Sequence, residues 1–243
     1  MTNIRNFFSK IKLSVQGSII LGATILAISH LGYAYIISQN SSSSNVPLFT
    51  GKSIDENDYI FGNKKSNVVV IEYSDPECPF CVRFSDVSKQ IKDNYKDKVS
   101  FVYRHFPLSF HKNAFGESKA IACAGLIGGE KSFYEYIEYL YSGKYSTQNP
   151  NNGSFTPLTS NGKELLAEKV GLNIENFSSC MNKKENDTII ENSLADGVSA
   201  GVEGTPATFV LVKNRKGYEV VAKIDGARPY SFVEAAIEEA LSK

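Results

Sequence analysis

Two runs of apolar residues frame a helical segment early in the globular part of the chain. Residues 68–73 are almost wholly apolar and rich in β-branched side chains, which is typical of a strand buried on both faces. Residues 99–103 supply a second strand. Between the two, apolar positions recur at helical spacing and predict a helix over about 80–95: Phe84, Val87, Ile91 and Tyr95. Together they form a β-α-β unit, whose parallel strands require a right-handed crossover.

A long helical block follows this unit. The stretch from 111 to about 200 has helical character, and its segment 120–124 is rich in apolar residues. The aromatic segment 133–141 is interpreted as core rather than as a substrate groove. Turn-forming residues crowd the region 143–162, which predicts a loop within the block.

The chain closes with two more strands and a helix. Strands are predicted at 207–212 and 218–224, joined by a hairpin turn, and an amphipathic helix is predicted at 231–241. A short edge strand is also predicted at 59–61. The order β-α-β, helical block, β-β-α predicts an α/β fold in which a helical domain is inserted between two halves of one sheet.

The first forty residues have a different character. Basic residues at positions 5, 10 and 12 precede the stretch 13–38, which contains no Asp, Glu, Lys or Arg, and this order is typical of an export signal. Its apolar centre, 19–37, is about long enough to span a bilayer, so an uncleaved membrane anchor stays open as an alternative. Small residues at 32 and 34 favour cleavage by a signal peptidase.

Domain organisation follows from these segments. We predict a signal peptide or anchor over 1–38, a polar linker over 39–57 and one globular domain over 58–243, with the helical insertion at about 111–200. The formal net charge is zero, with 26 basic and 26 acidic side chains, which gives no indication of a nucleic-acid partner. Four cysteines, an even number, fit disulfides in a compartment outside the cytoplasm.

The candidate chemistry lies in Cys78-Pro79-Phe80-Cys81, directly after the first predicted buried strand. Where a strand turns into a helix, free backbone N–H groups and the helix dipole at the helix N-terminus favour a thiolate. The short spacing lets Cys81 resolve a bond that Cys78 has formed with another sulfur. Proline is tolerated in the first helical turn, where its missing N–H costs nothing. The motif therefore predicts thiol–disulfide exchange.

Zinc binding is the alternative use of a Cys-x-x-Cys pair. A zinc site needs a second close pair of ligands. The other two cysteines, Cys123 and Cys180, stand far apart, and the three histidines form no pair either. No metal ion and no other cofactor are therefore predicted.

Further pieces of sequence accompany the cysteine motif. They are Phe61-Gly62-Asn63 and the segment 71–75 before it, and the segments 103–108 and 201–207 after it. With these pieces, the chain from about residue 60 to its C-terminus resembles the DsbA-like thiol:disulfide oxidoreductases, bacterial envelope proteins with a thioredoxin fold. The resemblance implies a thioredoxin-like fold with a helical insertion, a place in the periplasm or cell envelope, and a redox-active cysteine pair.

The resemblance also implies roles for residues outside the cysteine pair. The Thr205-Pro206 peptide bond is expected to be cis, to face the active-site disulfide and to bind an extended substrate segment, together with Pro79 and Phe80. Glu72 corresponds to a buried acid of the family, which would exchange protons with the sulfur of Cys81. An outward-facing, solvated Glu72 is the alternative.

Cys123 and Cys180 match a second cysteine pair that some members of this family contain. The resemblance implies a disulfide in the helical region with a structural role, worth roughly 3–4 kcal/mol of stability by the chain-entropy estimate. A second redox-active pair that regulates the first is the alternative.

The residues near Cys78 bear on the direction of electron flow. Asp75 and Glu77 would oppose a thiolate if they lay close to it, and Thr205 before the proline is also found in isomerases of the family.

The short segment before the first strand offers no dimerisation domain, so a monomeric dithiol oxidase is expected. Its partners would be reduced or misoxidised exported proteins and, by resemblance, a quinone-linked membrane protein that reoxidises it. The alternatives are an isomerase, a reductase or a chaperone-like binding module without turnover.

Overall fold

A five-stranded sheet places the cysteine motif at one end of its central strand. The computed structural model describes residues 47–146 and 158–243. The strands are β1 (Ile60–Gly62), β2 (Val68–Ser74), β3 (Ser100–His105), β4 (Ala207–Asn214) and β5 (Gly217–Asp225), arranged in the order β1-β3-β2-β4-β5. Strand β2 pairs in parallel with β3 and antiparallel with β4, and the two edge strands pair antiparallel with their neighbours.

Helices make up most of the remaining described chain. Their bounds are α1 (Pro79–Tyr95), α2 (Ala114–Ser146), α3 (Ser160–Lys169), α4 (Ile174–Asn182), α5 (Asp187–Ser199) and α6 (Tyr230–Leu241), with a 3₁₀ turn at Lys184–Asn186. Helix α2 is interrupted at Gly129, whose φ of 71° is a left-handed conformation that glycine adopts without steric cost. Helix α1 connects the parallel strands β2 and β3, and α2–α5 form the insertion. The predicted α/β fold with an inserted helical domain is therefore confirmed.

The pleat of β2 decides which side chains reach the active site. All seven residues of this strand are buried, as its apolar run predicts. Val70 packs with residues of α1 and α6 on one face of the sheet, and Ile71 packs on the opposite face. Because side chains alternate along a strand, Glu72 and Ser74 share the face of Val70, towards α1.

The insertion has a core of its own that extends to the cysteine motif. Phe133, Tyr136 and Tyr141 are each 2 % exposed or less, which confirms that the aromatic segment of α2 is core. These side chains belong to the same buried cluster as Cys81 and Phe177. The insertion is thus packed directly against the motif.

Residues 47–50, called the strap below, pair with the free edge of β5. The Phe49 N–H donates to the Tyr218 carbonyl over 2.8 Å, and the Val220 N–H donates to the Pro47 carbonyl over 3.0 Å. The Phe49 ring also packs edge-on against Phe209 of β4, with centroids 5.2 Å apart. The strap is therefore part of the folded domain.

A buried arginine ties the following residues to the same domain. Arg104 on β3 donates to the Lys52 carbonyl over 2.8 Å and pairs with Asp58 and Asp196 over 2.9 and 2.8 Å. The assignment of the whole of 39–57 to a linker is therefore wrong for residues 47–57. The polar composition of this segment hid its backbone pairing, and the folded domain includes residues 47–57 rather than starting at residue 58.

The loop predicted over 143–162 is wrong at both ends. Helix α2 continues to Ser146, and a buried ion pair of 2.6 Å between Lys144 and Glu117 holds its last turn. Helix α3 begins at Ser160, where Thr159 accepts a cap hydrogen bond from the Gly162 N–H. Residues 147–157 lie outside the described residues.

The predicted signal or anchor, 1–38, also lies outside the described residues and stays a prediction. Within the part of the chain that the structure describes, no helix has both the length and the apolar character needed to cross a bilayer.

Candidate active site

The cysteine motif forms the start of α1. Cys78 is the N-cap residue, with an extended backbone, and Pro79 occupies the first helical position. Neither cysteine of the motif is in a disulfide, and both are buried, with Cys78 4 % exposed and Cys81 fully buried. The strand-to-helix turn predicted from the sequence is present, and it holds the two sulfurs side by side.

The surroundings of Cys78 stabilise a thiolate. The Cys81 thiol hydrogen-bonds to the Cys78 sulfur, and the Thr205 side chain and the backbone N–H groups of Cys81 and Phe80 add to this effect. Against the opposing effect of burial, they lower the pKa of Cys78 from 9.0 to about 6. Cys78 therefore ionises at a lower pH than an ordinary cysteine does.

Cys81 is held in its neutral form. Burial raises the pKa of its thiol well above 9.0, and the charge on Cys78 raises it further. The Asp75 N–H, 3.4 Å from the sulfur, and the Ser74 hydroxyl act in the opposite direction. Of the two sulfurs, that of Cys78 is therefore the more readily ionised.

The loop before β4 faces the reactive sulfur. The Thr205-Pro206 peptide bond is cis, as the resemblance implies. The Cys78 sulfur lies 3.3 Å from the Thr205 carbonyl oxygen, to which it donates a hydrogen bond when it is protonated. The structure thus brings Thr205 and Pro206 to the cysteine pair, where the resemblance places the substrate-binding backbone.

Glu72 is buried beneath the motif. It is 9 % exposed, so the alternative of a solvated side chain is wrong. Burial raises the pKa of its carboxyl group, opposed by a 2.7 Å hydrogen bond from the Ser88 hydroxyl, by the nearby Lys92 ammonium and by Ser74. The carboxyl group of Glu72 therefore keeps its proton to a higher pH than an exposed glutamate does.

The two acids just before Cys78 are held by a neighbouring loop. Asp75 accepts hydrogen bonds from the Leu108 N–H and the His111 ring, each over 2.8 Å. Glu77 accepts from the Asn113 backbone and side chain at the start of α2. The loop 108–113 therefore fixes the positions of both carboxylates.

The other two residues of the motif differ in exposure. Pro79 is half-buried, whereas Phe80 is 54 % exposed, with the Arg83 guanidinium 4.5 Å from its ring centroid. An exposed aromatic side chain beside a reactive sulfur offers apolar contact to a partner chain.

Three hydroxyl groups near Cys81 were not anticipated from the sequence. Tyr141 of α2 lies 3.0 Å from the Ser74 hydroxyl and 3.1 Å from the Tyr103 hydroxyl. Strand periodicity could have found Ser74, because it stands two positions after Glu72 on the same face. No local signal points to Tyr141, because its approach depends on how the insertion packs.

The second cysteine pair is a disulfide. Cys123 of α2 and Cys180 of α4 are bonded, as the resemblance implies, and both are buried. This bond joins two helices of the insertion. Among the described residues, no three His, Cys, Asp or Glu side chains cluster closely enough to hold a metal ion.

Comparison with known proteins agrees with this geometry. The thioredoxin family model matches residues 55–230 of the chain. A Rickettsia typhi protein provisionally named protein-disulfide oxidoreductase is 29 % identical over 179 residues, which cover 69 % of this chain and 59 % of that protein. The chain thus spans less than two thirds of the length of this relative.

Solved structures share the fold at lower identity. Wolbachia pipientis alpha-DsbA1 superposes with a TM-score of 0.65 at 21 % identity, covering 78 % of this chain and 94 % of that one. Pseudomonas aeruginosa DsbA2 gives a TM-score of 0.57 at 24 % identity, covering 77 % and 96 %. The solved structures share the fold of this chain, and the match of the family model over most of its length shows that the chain belongs to the thioredoxin family.

Proposed function

We propose that the protein is an exported dithiol oxidase that introduces disulfides into proteins of the periplasm or cell envelope. The observation that supports this most is the opposite displacement of the two cysteine pKa values, with that of Cys78 lowered and that of Cys81 raised. A stabilised Cys78 thiolate favours the reduced form of the pair over its disulfide. The disulfide therefore takes up electrons readily, which is the property of an oxidant.

Catalysis runs through two exchanges at Cys78. A substrate thiolate attacks the Cys78 sulfur, the Cys78–Cys81 bond breaks, and the electron pair and then a proton go to Cys81. A second substrate thiolate attacks the substrate sulfur of this mixed disulfide, and Cys78 leaves as a thiolate, which its surroundings stabilise. The substrate leaves with a disulfide and the protein keeps two electrons.

Substrate is bound as an extended segment. The backbone around the cis Thr205-Pro206 bond pairs with it as an added strand would, beside the reactive sulfur. Phe80, which is exposed next to Cys78, adds apolar contact. Reduced and misoxidised exported proteins, which expose extended segments, fit this mode of binding.

Turnover requires a partner that removes the two electrons. We assign this step to a quinone-linked membrane protein on the basis of the family resemblance. The monomeric state and the export signal or anchor belong to the same proposal, as does the absence of any nucleic-acid partner.

The test is the reduction potential of the Cys78–Cys81 pair. The full chain is equilibrated in glutathione buffers, quenched with acid and alkylated, and the state of each cysteine is read by mass spectrometry. A potential above about −200 mV is expected of an oxidase, whereas a value near the thioredoxin potential of about −270 mV contradicts the proposal and favours a reductase.

Two assays separate the other functions. Refolding of a scrambled disulfide substrate faster than oxidation of a reduced one would identify an isomerase. A Cys78→Ser variant that keeps full function in the cell would identify a binding module without turnover.

A further inference from the structure

In the proposed exchange, the sulfur of Cys81 takes the electron pair when the disulfide opens. The exposure of Cys81 is 0 %, so bulk water cannot stabilise the negative charge as it develops on this sulfur. A backbone group points at the sulfur instead, because the Asp75 N–H donates to it over 3.4 Å. A donor directed at an atom where charge appears in the transition state lowers the barrier of that step.

The turn between β2 and α1 brings this donor to the sulfur. Asp75 is the first residue after β2, and Cys81 lies in the first turn of α1. The Asp75 carbonyl accepts from the Cys78 N–H over 3.1 Å, and its carboxylate accepts from the Glu77 N–H over 2.7 Å. Asp75 therefore closes this turn with both its backbone and its side chain.

The loop between β3 and α2 holds the Asp75 side chain from outside the turn. One carboxylate oxygen accepts from the Leu108 N–H and from the His111 ring, each over 2.8 Å. A carboxylate only accepts hydrogen bonds, so the Nδ1 of His111 carries the hydrogen. The Asp75 side chain is fully buried, whereas that of His111 is 19 % exposed. Donors from two elements thus fix the carboxylate, and with it the residue that carries the N–H.

The backbone and the side chain of Asp75 serve different neighbours. Its carboxylate binds the turn and the loop, and its N–H faces the Cys81 sulfur. The charge of a carboxylate opposes a nearby thiolate, whereas an N–H donor favours one. This residue therefore offers a stabilising contact to the buried sulfur, and its carboxylate serves to hold that contact in place.

We propose that the Asp75 N–H stabilises the negative charge on Cys81 as this sulfur leaves or attacks, and that His111 positions Asp75 for this role. When a thiolate attacks Cys78, a new S–S bond forms, the Cys78–Cys81 bond breaks, and the electron pair goes to the Cys81 sulfur. The amide keeps its hydrogen, and no proton moves in this step. The reverse step passes through the same charge and is stabilised equally. This role rests on the exchange at Cys78 in the proposed function and serves an oxidase and a reductase alike.

The test measures both directions of this step in the full chain by rapid acid quench, alkylation and mass spectrometry. Opening is read from oxidised protein mixed with reduced glutathione at pH 7, and closure from the decay of the mixed disulfide that oxidised glutathione forms with Cys78. His111→Ala should slow both by about fivefold or more, a fraction of the roughly 10²–10³-fold that the loss of a whole donor costs. His111→Asn, whose amide nitrogen can take the place of Nδ1, should keep both rates within about twofold of wild type.

A chain without Cys81 shows which sulfur the contact serves. In Cys81→Ala, Cys78 still attacks oxidised glutathione, but position 81 no longer carries charge. Adding His111→Ala to this chain should change the rate by less than about twofold, because the Asp75 N–H has lost its acceptor. An equal loss with and without Cys81 would show that His111 only shapes the motif and would overturn this role, as would wild-type rates in His111→Ala. If His111→Ala does not fold, His111→Phe, which keeps a ring but no donor, takes its place.

Asn113→Ala is the matched control in the same loop. The Asn113 side chain donates to the Glu77 carboxylate over 2.9 Å, and its backbone N–H keeps a second bond to that carboxylate in the variant. Both rates should stay within about twofold of wild type. The wild-type chain reports the exchange at Cys78 itself, so a failure of the proposed function appears there, whereas a failure of the role of Asp75 and His111 appears only in the variants.

Discussion

Cys78 and Cys81 stand at the start of one helix, whereas Cys123 and Cys180 are 57 positions apart and join two helices of the insertion. All four are buried, none more than 7 % exposed. Burial therefore does not separate the reactive pair from the other. The difference is in the donors around the sulfur, since Cys78 receives backbone N–H groups and a thiol, while Cys123 lies within α2, where the backbone donors are used by the helix itself.

The largest expected effect is the loss of exchange activity when the reactive pair is changed. Cys78→Ala removes the sulfur that substrate attacks, so oxidation of a reduced peptide and exchange with glutathione should both fall to the uncatalysed rate. The double variant Cys123→Ala/Cys180→Ala is the matched control and should keep exchange within about threefold of wild type. Chromogenic thiol assays measure both. A tenfold loss in the double variant would assign the second pair a regulatory part.

The second pair should matter for stability instead. Replacing Cys123 and Cys180 by alanine should lower the free energy of unfolding by about 3–4 kcal/mol, by the loop-closure estimate for a bridge of this span. Urea denaturation followed by circular dichroism measures this difference. The protein that keeps Cys123 and Cys180 and the protein that lacks them both also carry Cys78→Ala and Cys81→Ala. The reactive pair then adds no cross-link to either protein. An unchanged midpoint would contradict a structural role.

The acidity of Cys78 is a further difference between the reactive pair and the Cys123–Cys180 pair. The rate of alkylation by iodoacetamide should rise with a midpoint near pH 6, because the pKa of Cys78 is lowered from 9.0 to about 6. The thiolate contributes fully to the stability of the reduced protein above pH 9, and this contribution is lost as the pH falls through 6. Cys81→Ala removes the first of the stabilising hydrogen bonds and should move the midpoint upwards. A wild-type midpoint above pH 8 would contradict the assignment.

The smallest expected effect concerns substrate contact. Phe80→Ala should raise KM for an apolar peptide substrate by about threefold, which corresponds to roughly 0.6 kcal/mol of lost contact, without changing exchange with glutathione. Phe232→Ala is a close control, since Phe232 is 60 % exposed and has Arg228 over its ring, as Phe80 has Arg83. Equal effects of the two variants would show that Phe80 has no special part in binding.

Much of the fold was predictable because its signals are local. The apolar run of β2 and the helical spacing of α1 place the motif at a strand-to-helix turn, and the structure has both within one or two residues of the prediction. The strap was missed because its pairing with β5 is made by the backbone. Such pairing leaves no trace in side-chain periodicity.

The active site was predictable only in part, because some of its contacts join residues that are far apart in the sequence. The cysteine pair and Glu72 follow from spacing along one strand and one helix. The contacts of Asp75 with His111 and of Ser74 with Tyr141 join residues 36 and 67 positions apart. Such contacts depend on the tertiary packing of the insertion and its loop, which no local pattern encodes.

The strap has a consequence for how the molecule behaves in concentrated solution. An unpaired strand edge is a template for another copy of the same chain, and edge-to-edge addition leads to aggregates. By hydrogen-bonding with Tyr218 and Val220, the strap covers the first part of this edge of the sheet. A fragment cut at residue 58, where the sequence suggested the domain begins, would reopen it. Fragments meant to stay dispersed should therefore begin before Pro47.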